Sequence, residues 1–172
     1  NVGIVAAWEL DLWGRIRRNV EASTAAAEST ADELAAARLS LQAQLAQNYF
    51  LLRVQDAEIR LLQDSVARYE RSLQLTRNQY AVGVASRGDV VQAEAQLMST
   101  RTQALEATVN RAQLEHAIAV LIGKAPADFS IAPLPLDVTF PMVPPALPSE
   151  LLERRPDIAA AERRMAAANA QI

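Results

Sequence analysis

Residues able to carry out chemistry are few in this sequence of 172 residues. His116 is the only histidine, and the absence of cysteine excludes disulfides and thiolate metal sites. The sequence contains no phosphate-binding glycine loop, no His-Glu-x-x-His pair and no Gly-x-Ser-x-Gly elbow. A lone histidine in a helical segment is far more often structural or solvent-facing than a base or a ligand. We therefore expect no enzyme activity, no cofactor and no metal site.

The most distinctive local pattern lies at residues 80–90, which hold two of the five glycines, Gly83 and Gly88. Long segments without glycine or proline flank this stretch on both sides. Glycine admits the positive φ values that a tight reversal needs. Ser86 and Asp89 have the Ser-x-x-acid spacing of a capping box, which would begin a new helix. The pattern predicts the tip of a long helical hairpin.

The tip must connect two helices. Apolar periodicity predicts a first helix over about residues 15–79 and a return helix over about residues 88–122, which Gly123 would end. On the first helix one heptad row consists of Leu45, Leu52, Ile59, Val66, Leu73 and Tyr80, and a second row on a different side consists of Phe50, Val54, Ala57 and Leu61. Two rows on different sides indicate neighbouring helices on both flanks, as in a bundle, a sheet of helices or a closed ring.

The return helix continues the heptad pattern, and the other residues of the first helix are mostly small or charged. The return row is Val91, Met98, Leu105 and Ala112, and its apolar surface is widened by Leu97, Leu114, Ile118 and Leu121. Alanines such as Ala25, Ala26, Ala27 and Ala36 either allow close helix approach or simply favour helix formation. Charged residues including Arg53, Arg60, Asp56 and Glu70 are expected on solvated faces.

A proline-rich segment follows the hairpin, since residues 125–148 contain seven of the eight prolines. Proline excludes a regular helix or a central strand there. The apolar residues of this segment predict an extended connector whose side chains pack on something. Ser149 can then cap a short turn through Arg154, and Pro156 stands at the first turn of a final helix over residues 157–172.

Composition supports an all-α structure of long, closely packed helices, because half of the residues are hydrophobic and aromatic residues are scarce. The net charge of −3 does not indicate a nucleic-acid partner. No apolar run reaches the roughly 18 to 20 residues of a membrane-spanning helix. Residues 1–13 weakly suggest the end of a strand, and Trp8 and Trp13 are either membrane-interface residues or part of a local cluster.

Four stretches of this chain resemble the TolC-like outer-membrane factors, in particular the lipoprotein branch that works in tripartite drug and metal efflux pumps. They are WELDLWGR at 8–15, the tip at 80–90, LIGKAP at 121–126 and LPSELLERRPDI at 147–158. The last stretch resembles the junction that opens the second structural repeat of that family. The order of the four stretches is more specific than any one of them.

This resemblance implies a homotrimer with an outer-membrane β-barrel continued by an α-helical tunnel across the periplasm of a Gram-negative bacterium. Substrates expelled by an inner-membrane transporter would leave through it. It also implies four regions: a barrel-strand end at 1–13, the periplasmic hairpin at 14–123, an equatorial connector at 124–148 and the start of a second-repeat helix at 149–172. The chain would then be the middle of a longer protein.

The resemblance also assigns roles at the tip and near the first residues. Asp89 would help to gate the periplasmic aperture, and Trp8 and Trp13 would lie at the membrane interface. The residues that would dock onto a periplasmic adaptor protein are Val82, Gly83, Val84, Ala85 and Ser86. The alternative function is a soluble periplasmic coiled-coil adaptor or scaffold, which would also carry a long hairpin.

Overall fold

The structure is a computed structural model that describes residues 3–4, 10–135, 142 and 148–172. Within those residues the elements are α1 (Arg15–Ala81), α2 (Arg87–Leu121), a 3-10 turn (Pro126–Asp128), α3 (Pro148–Glu153) and α4 (Pro156–Asn169). The described ranges contain no strand, and none of their helices is long and apolar enough to cross a membrane. The predicted all-α class is confirmed, and both hairpin helices have ends within two residues of the prediction.

The chain divides into two compact units, one formed by Asn1–Leu41 with Pro141–Ile172 and the other by Gln42–Phe140. Trp8 lies outside the described residues, as does most of the predicted strand end. Trp13 is 91% exposed and therefore packs little against the described residues. Its proposed place at a membrane interface stays a prediction.

A carboxylate caps the start of α1. Gly14, with φ of +76°, turns the chain into the helix. The backbone N–H groups of Arg17 and Ile16 donate to the Asp11 carboxylate at 2.9 and 3.0 Å. These two bonds lower the pKa of Asp11, and they satisfy two of the four amide donors that a helix start leaves without partners.

In the first unit, α4 packs against the N-terminal half of α1 through small residues. Ala25, Ser29 and Ala160 are buried, and the Ser29 hydroxyl donates to the Ala160 carbonyl at 3.1 Å. Close helix approach is therefore realised at Ala25, whereas the neighbouring Ala26 and Ala27 are exposed. Pro156 begins α4 as predicted, but α4 ends at Asn169 and does not continue to residue 172.

In the second unit, α1 and α2 form the predicted hairpin. Leu52 of the first heptad row is fully buried and Leu73 is 6% exposed, while Tyr80 is 47% exposed. Leu73 borders a groove together with Leu97 of α2, so this part of the row lies at the α1–α2 contact. The buried residues of α2 are Leu97, Thr100, Ala107, Ile118 and Ala119. Small residues thus occupy much of the α2 side of the contact.

The heptad row of the return helix lies outside this contact. Val91, Met98 and Leu105 are 54, 56 and 68% exposed. On α1, Phe50, Val54 and Leu61 of the second row are likewise exposed. Both rows are therefore largely uncovered by the described residues, and for the second row of α1 this agrees with the predicted neighbour on another flank.

Two charged residues predicted to be solvated are buried instead. Arg53 and Asp56 are only 4 and 5% exposed. The prediction is wrong because α2 places Arg111 against Asp56, with Arg111 Nε 2.7 Å from the carboxylate. Arg60 and Glu70 are exposed, as predicted for the charged residues of α1.

The end of α2 follows the predicted glycine signal. Gly123 has φ of +73° and its N–H donates to the Val120 carbonyl, while the Lys124 N–H donates to the Ala119 carbonyl at 2.9 Å. This pair of bonds is the Schellman motif, which favours glycine because its Cβ-free backbone tolerates the left-handed region.

The connector is described as far as residue 135, and its contact with the hairpin differs from the prediction. Phe129 and Ile131 are half-buried, whereas Ala132 and Pro133 are exposed and Leu134 is 51% exposed. Of the apolar residues expected to pack, Leu134 is thus half exposed. Hydrogen bonds to the connector backbone hold residues 131–134 on the hairpin.

Candidate functional site at the hairpin tip

The tip begins where α1 ends. Gly83 has φ of +77°, and its N–H donates to the Tyr80 carbonyl at 3.0 Å. The Val84 N–H donates to the Gln79 carbonyl at 2.8 Å. The bonds form a second Schellman motif, so the glycine predicted to reverse the chain does so in the left-handed conformation.

The predicted capping box starts α2. Ser86 is the N-cap residue in an extended conformation, with φ of −83° and ψ of 161°. The Asp89 N–H donates to Ser86 Oγ at 3.2 Å, and the Ser86 N–H donates to the Asp89 carboxylate at 2.8 Å. The Ser86 hydroxyl donates to the same carboxylate oxygen at 2.8 Å. The backbone bond and then the hydroxyl bond lower the pKa of Asp89, which keeps the carboxylate ionised at neutral pH.

The surface of the tip is small and apolar. Val82 and Val84 are 74 and 75% exposed, and Ala85 is half-buried. No atom lies within 4 Å of the position that a Cβ on Gly83 would occupy. The tip thus exposes two valines on a turn that is hydrogen-bonded at both ends.

Two different grooves lie between α1 and α2 in the part of the hairpin next to the tip. One, of about 580 Å³, is bordered by charged residues, and two interhelical ion pairs cross it: Arg77 with Glu94 and Arg101 with Glu70, each at 2.6 Å. These side chains are about half exposed. The other groove, of about 310 Å³, carries mainly uncharged polar groups, and its lining includes Tyr69, Ser72, Thr76, Gln92, Gln96 and Asp89.

The structure brings together the predicted tip residues, from Val82 to Ser86 with Asp89, in one turn. His116 is exposed on α2, as a solvent-facing histidine would be. In the described part of the chain, no cluster of three or more His, Cys, Asp or Glu side chains could hold a metal ion.

Comparison with known proteins identifies the chain. The model of the outer membrane efflux protein family matches residues 1–124. The chain belongs to this family. Membership in this family confirms the resemblance found in the four sequence stretches. It also confirms the outer-membrane localisation that the resemblance implied. Membership does not favour the alternative function as a periplasmic adaptor.

Relatives of this efflux-family chain carry names consistent with that membership. The probable efflux pump outer membrane protein TtgC of Pseudomonas putida is 37% identical over 98% of this chain, which covers 35% of TtgC. The pyoverdine export outer membrane protein OpmQ of Pseudomonas aeruginosa is 30% identical over 100% of this chain and 36% of OpmQ. The chain thus spans about a third of the length of these relatives.

Solved structures share the fold of this efflux-family chain. The outer-membrane channel OprN is 36% identical with a TM-score of 0.90, over 95% of this chain and 37% of that structure. The outer membrane protein VceC of Vibrio cholerae is 26% identical with a TM-score of 0.81, over 95% of this chain and 39% of that structure. The helical architecture described above is therefore that of outer-membrane channel proteins.

Proposed function

We propose that the full protein is the outer-membrane channel of a tripartite efflux system, and that this chain supplies one helical hairpin of its periplasmic tunnel. The observation that carries the proposal is the long α1–α2 hairpin with a capped, apolar tip, in a chain of the outer membrane efflux protein family. In this reading the protein is a passive duct and not an enzyme.

Exposed apolar rows support assembly into a tunnel wall. Val91, Met98 and Leu105 on α2, and Phe50 and Leu61 on α1, are all more than 40% exposed. Solvent-exposed apolar rows at heptad spacing on long helices call for further helices as neighbours. We assign those neighbours to other hairpins of a homotrimer and of a second structural repeat.

The regions of the chain take the following places in this proposal. Residues 1–13 end a barrel strand, with Trp8 and Trp13 at the membrane interface, and residues 14–123 form the periplasmic hairpin. Residues 124–148 form an equatorial connector, and residues 149–172 begin the helix of the second repeat.

The tip docks onto a periplasmic adaptor protein that links the channel to an inner-membrane transporter. Support comes from the high exposure of Val82 and Val84 on a turn whose backbone is fixed at both ends. Gly83, Ala85 and Ser86 add little bulk, so another helical tip can approach closely.

Asp89 has two roles in this proposal. It completes the capping box of α2, and it borders the polar groove of the hairpin. Because Asp89 is exposed and ionised, it can accept hydrogen bonds from a neighbouring hairpin as well as from Ser86. Such links would hold the periplasmic aperture closed.

The duct selects little among substrates. Relatives at the same 37% identity are named for antibiotic efflux in one case and toluene efflux in another, and OpmQ is named for pyoverdine export. We therefore assign substrate choice to the transporter and not to this hairpin.

The test uses the full-length protein as the sole outer-membrane channel of its cells, with Nile red efflux as the measurement. Val84→Glu places a charge on the apolar tip, at a side chain 75% exposed, so folding is spared. Gln103→Glu adds the same charge at an exposed site on α2 away from the tip. We expect Val84→Glu to abolish efflux, with protein level and trimer unchanged, and Gln103→Glu to retain it.

Normal efflux by the Val84→Glu variant would contradict docking at the tip while leaving the duct in place. Absence of efflux in cells that carry the unsubstituted protein, its adaptor and its transporter would contradict the proposed function itself.

A further inference from the structure

Four charged side chains form a cluster between the two helices of the hairpin, away from the tip. Arg53 and Asp56 come from α1, and Arg111 and Glu115 come from α2. The side chains of Arg53 and Asp56 are 5 and 2% exposed, and those of Arg111 and Glu115 are 15 and 13% exposed. Charged side chains are seldom buried this deeply. The other ion pairs between α1 and α2 are about half exposed.

The charges within this cluster are matched. Arg53 Nη1 lies 2.9 Å from one oxygen of Asp56, and Arg111 Nε lies 2.7 Å from the other. Arg111 Nη1 lies 3.0 Å from Glu115. Two arginines therefore balance two carboxylates, as burial of ionised groups requires.

Each member of the cluster also bonds to the backbone of the connector. The N–H of Ile131 donates to Glu115 and the N–H of Leu134 donates to Asp56 at 3.4 Å. Arg111 Nη2 donates to the Ile131 carbonyl at 2.6 Å and Arg53 Nη1 donates to the Ala132 carbonyl at 2.8 Å. The carboxylates thus accept hydrogen bonds from the connector N–H groups, and the arginines donate hydrogen bonds to the connector carbonyls. Pro133, between these groups, has no N–H to leave unpaired.

The connector contributes little side-chain packing at these positions. Leu134 is 51% exposed, and Ala132 and Pro133 are exposed as well. The connector is bound through its own backbone groups and not through its side chains, as is an extended peptide at the edge of a sheet.

We propose that Arg53, Asp56, Arg111 and Glu115 form a latch that holds the connector on the hairpin by its backbone. The latch ties α1, α2 and the connector together at one level, because Asp56 bonds to an arginine of each helix and to the connector. The Nε atom of Arg53 is buried without a hydrogen-bond partner, which is a cost that an apolar cluster would avoid. Buried ion pairs are often better at specifying one arrangement than at stabilising it, and the latch fits that use.

The geometry of Arg111 gives a sharp test. Its guanidinium bonds to three groups through three nitrogens, and lysine cannot reproduce this fork. Arg101 is the matched control, because it also lies on α2 and pairs with a carboxylate of α1, but that pair is half exposed and has no hydrogen bond to connector residues 124–135.

The measurement is amide hydrogen exchange of the full-length trimer. In the Arg111→Lys variant we expect exchange at Ile131 and Leu134 to accelerate by about tenfold or more, since a buried bond to a charged group is lost. In the Arg101→Lys variant exchange at both amides should match the unsubstituted protein. Where Arg111→Lys does not fold, Glu115→Gln supplies the same comparison, because it removes the charge that accepts the Ile131 N–H.

Three results would overturn the latch. They are unchanged exchange at Ile131 in folded Arg111→Lys or Glu115→Gln, equal acceleration in Arg101→Lys, and fast exchange at Ile131 and Leu134 in the unsubstituted protein. The test is independent of the proposed efflux function, since it measures attachment of the connector and not transport.

Discussion

Substitution of the two glycines of the hairpin tip by alanine should change local stability in opposite directions. Gly83 adopts φ of +77°, and a Cβ there would meet no atom within 4 Å. Gly88 lies in the first turn of α2 without a positive φ, and a Cβ there would lie 3.4 Å from Ser86 Oγ, an ordinary contact. Steric clash is absent at both sites, so backbone conformation alone separates them.

The magnitudes follow from the backbone. A residue other than glycine in the left-handed region costs about 1–2 kcal/mol, and loss of chain entropy in the open state offsets about 0.4–1 kcal/mol of that. Gly83→Ala should therefore destabilise the closed tip by about 1 kcal/mol, or about fivefold in the opening equilibrium. Gly88→Ala should stabilise it by about 0.5–1 kcal/mol, because alanine is the better helix former.

Exchange of the Val84 amide is the appropriate assay, because this N–H bonds to the Gln79 carbonyl across the turn. In the full-length protein Gly83→Ala should accelerate that exchange, and Gly88→Ala should slow it. A shift in the same direction for both variants, or no change for Gly83→Ala, would refute the assignment of the left-handed turn as the element that fixes the tip.

Three further predictions concern the hairpin. Leu52→Ala should lower the free energy of unfolding by about 2–5 kcal/mol, because Leu52 is fully buried. In the trimer, Leu61→Ala should lower the free energy of unfolding by a similar amount. A decrease of no more than about 0.5 kcal/mol for Leu61→Ala would contradict the second row as a contact with another helix. Burial raises the pKa of Glu115, but the N–H of Ile131, the Ser130 hydroxyl and Arg111 together bring it below its ordinary 4.5. The stability that Glu115 contributes is thus present above pH 4.5 and is lost as the pH falls through its lower folded-state pKa. Relative to the intrinsic exchange rate at each pH, connector amides should therefore exchange faster in acid in the unsubstituted protein, and Glu115→Gln should show no such increase.

The hairpin could be predicted from the sequence because its signals are local. Glycines at 83 and 123 and the Ser86–Asp89 spacing each act within a few residues, and the structure has both Schellman motifs and the capping box at those positions. The first heptad row could also be predicted from the sequence, because it consists of large apolar side chains such as Leu52 and Leu73.

The side of α2 that faces α1 was harder to predict, because small residues occupy much of it. Thr100 and Ala107 are buried beside Leu97 and Ile118, while the large Met98 and Leu105 are exposed. Hydrophobicity therefore does not separate the contact within the hairpin from the exposed row of α2.

The charged latch could not be predicted because its partners are far apart in sequence. Asp56 and Arg111 are separated by 55 positions, and no local rule pairs them. One signal was present, since Arg111 continues the seven-residue row of Leu97, Ala104 and Ile118, where a charge interrupts an otherwise small or apolar series. Asp11 at the start of α1 was missed in the same way, because its carboxylate reaches amides five and six residues ahead.

The uncovered rows of α1 and α2 bear on how such a protein is made. In the proposed assembly, a newly synthesised protomer would display Phe50, Leu61, Met98 and Leu105 to water until other helices cover them. Surfaces of this kind promote aggregation and are bound by chaperones. The time that a single protomer spends before assembly would therefore set how much of it is exposed to aggregation.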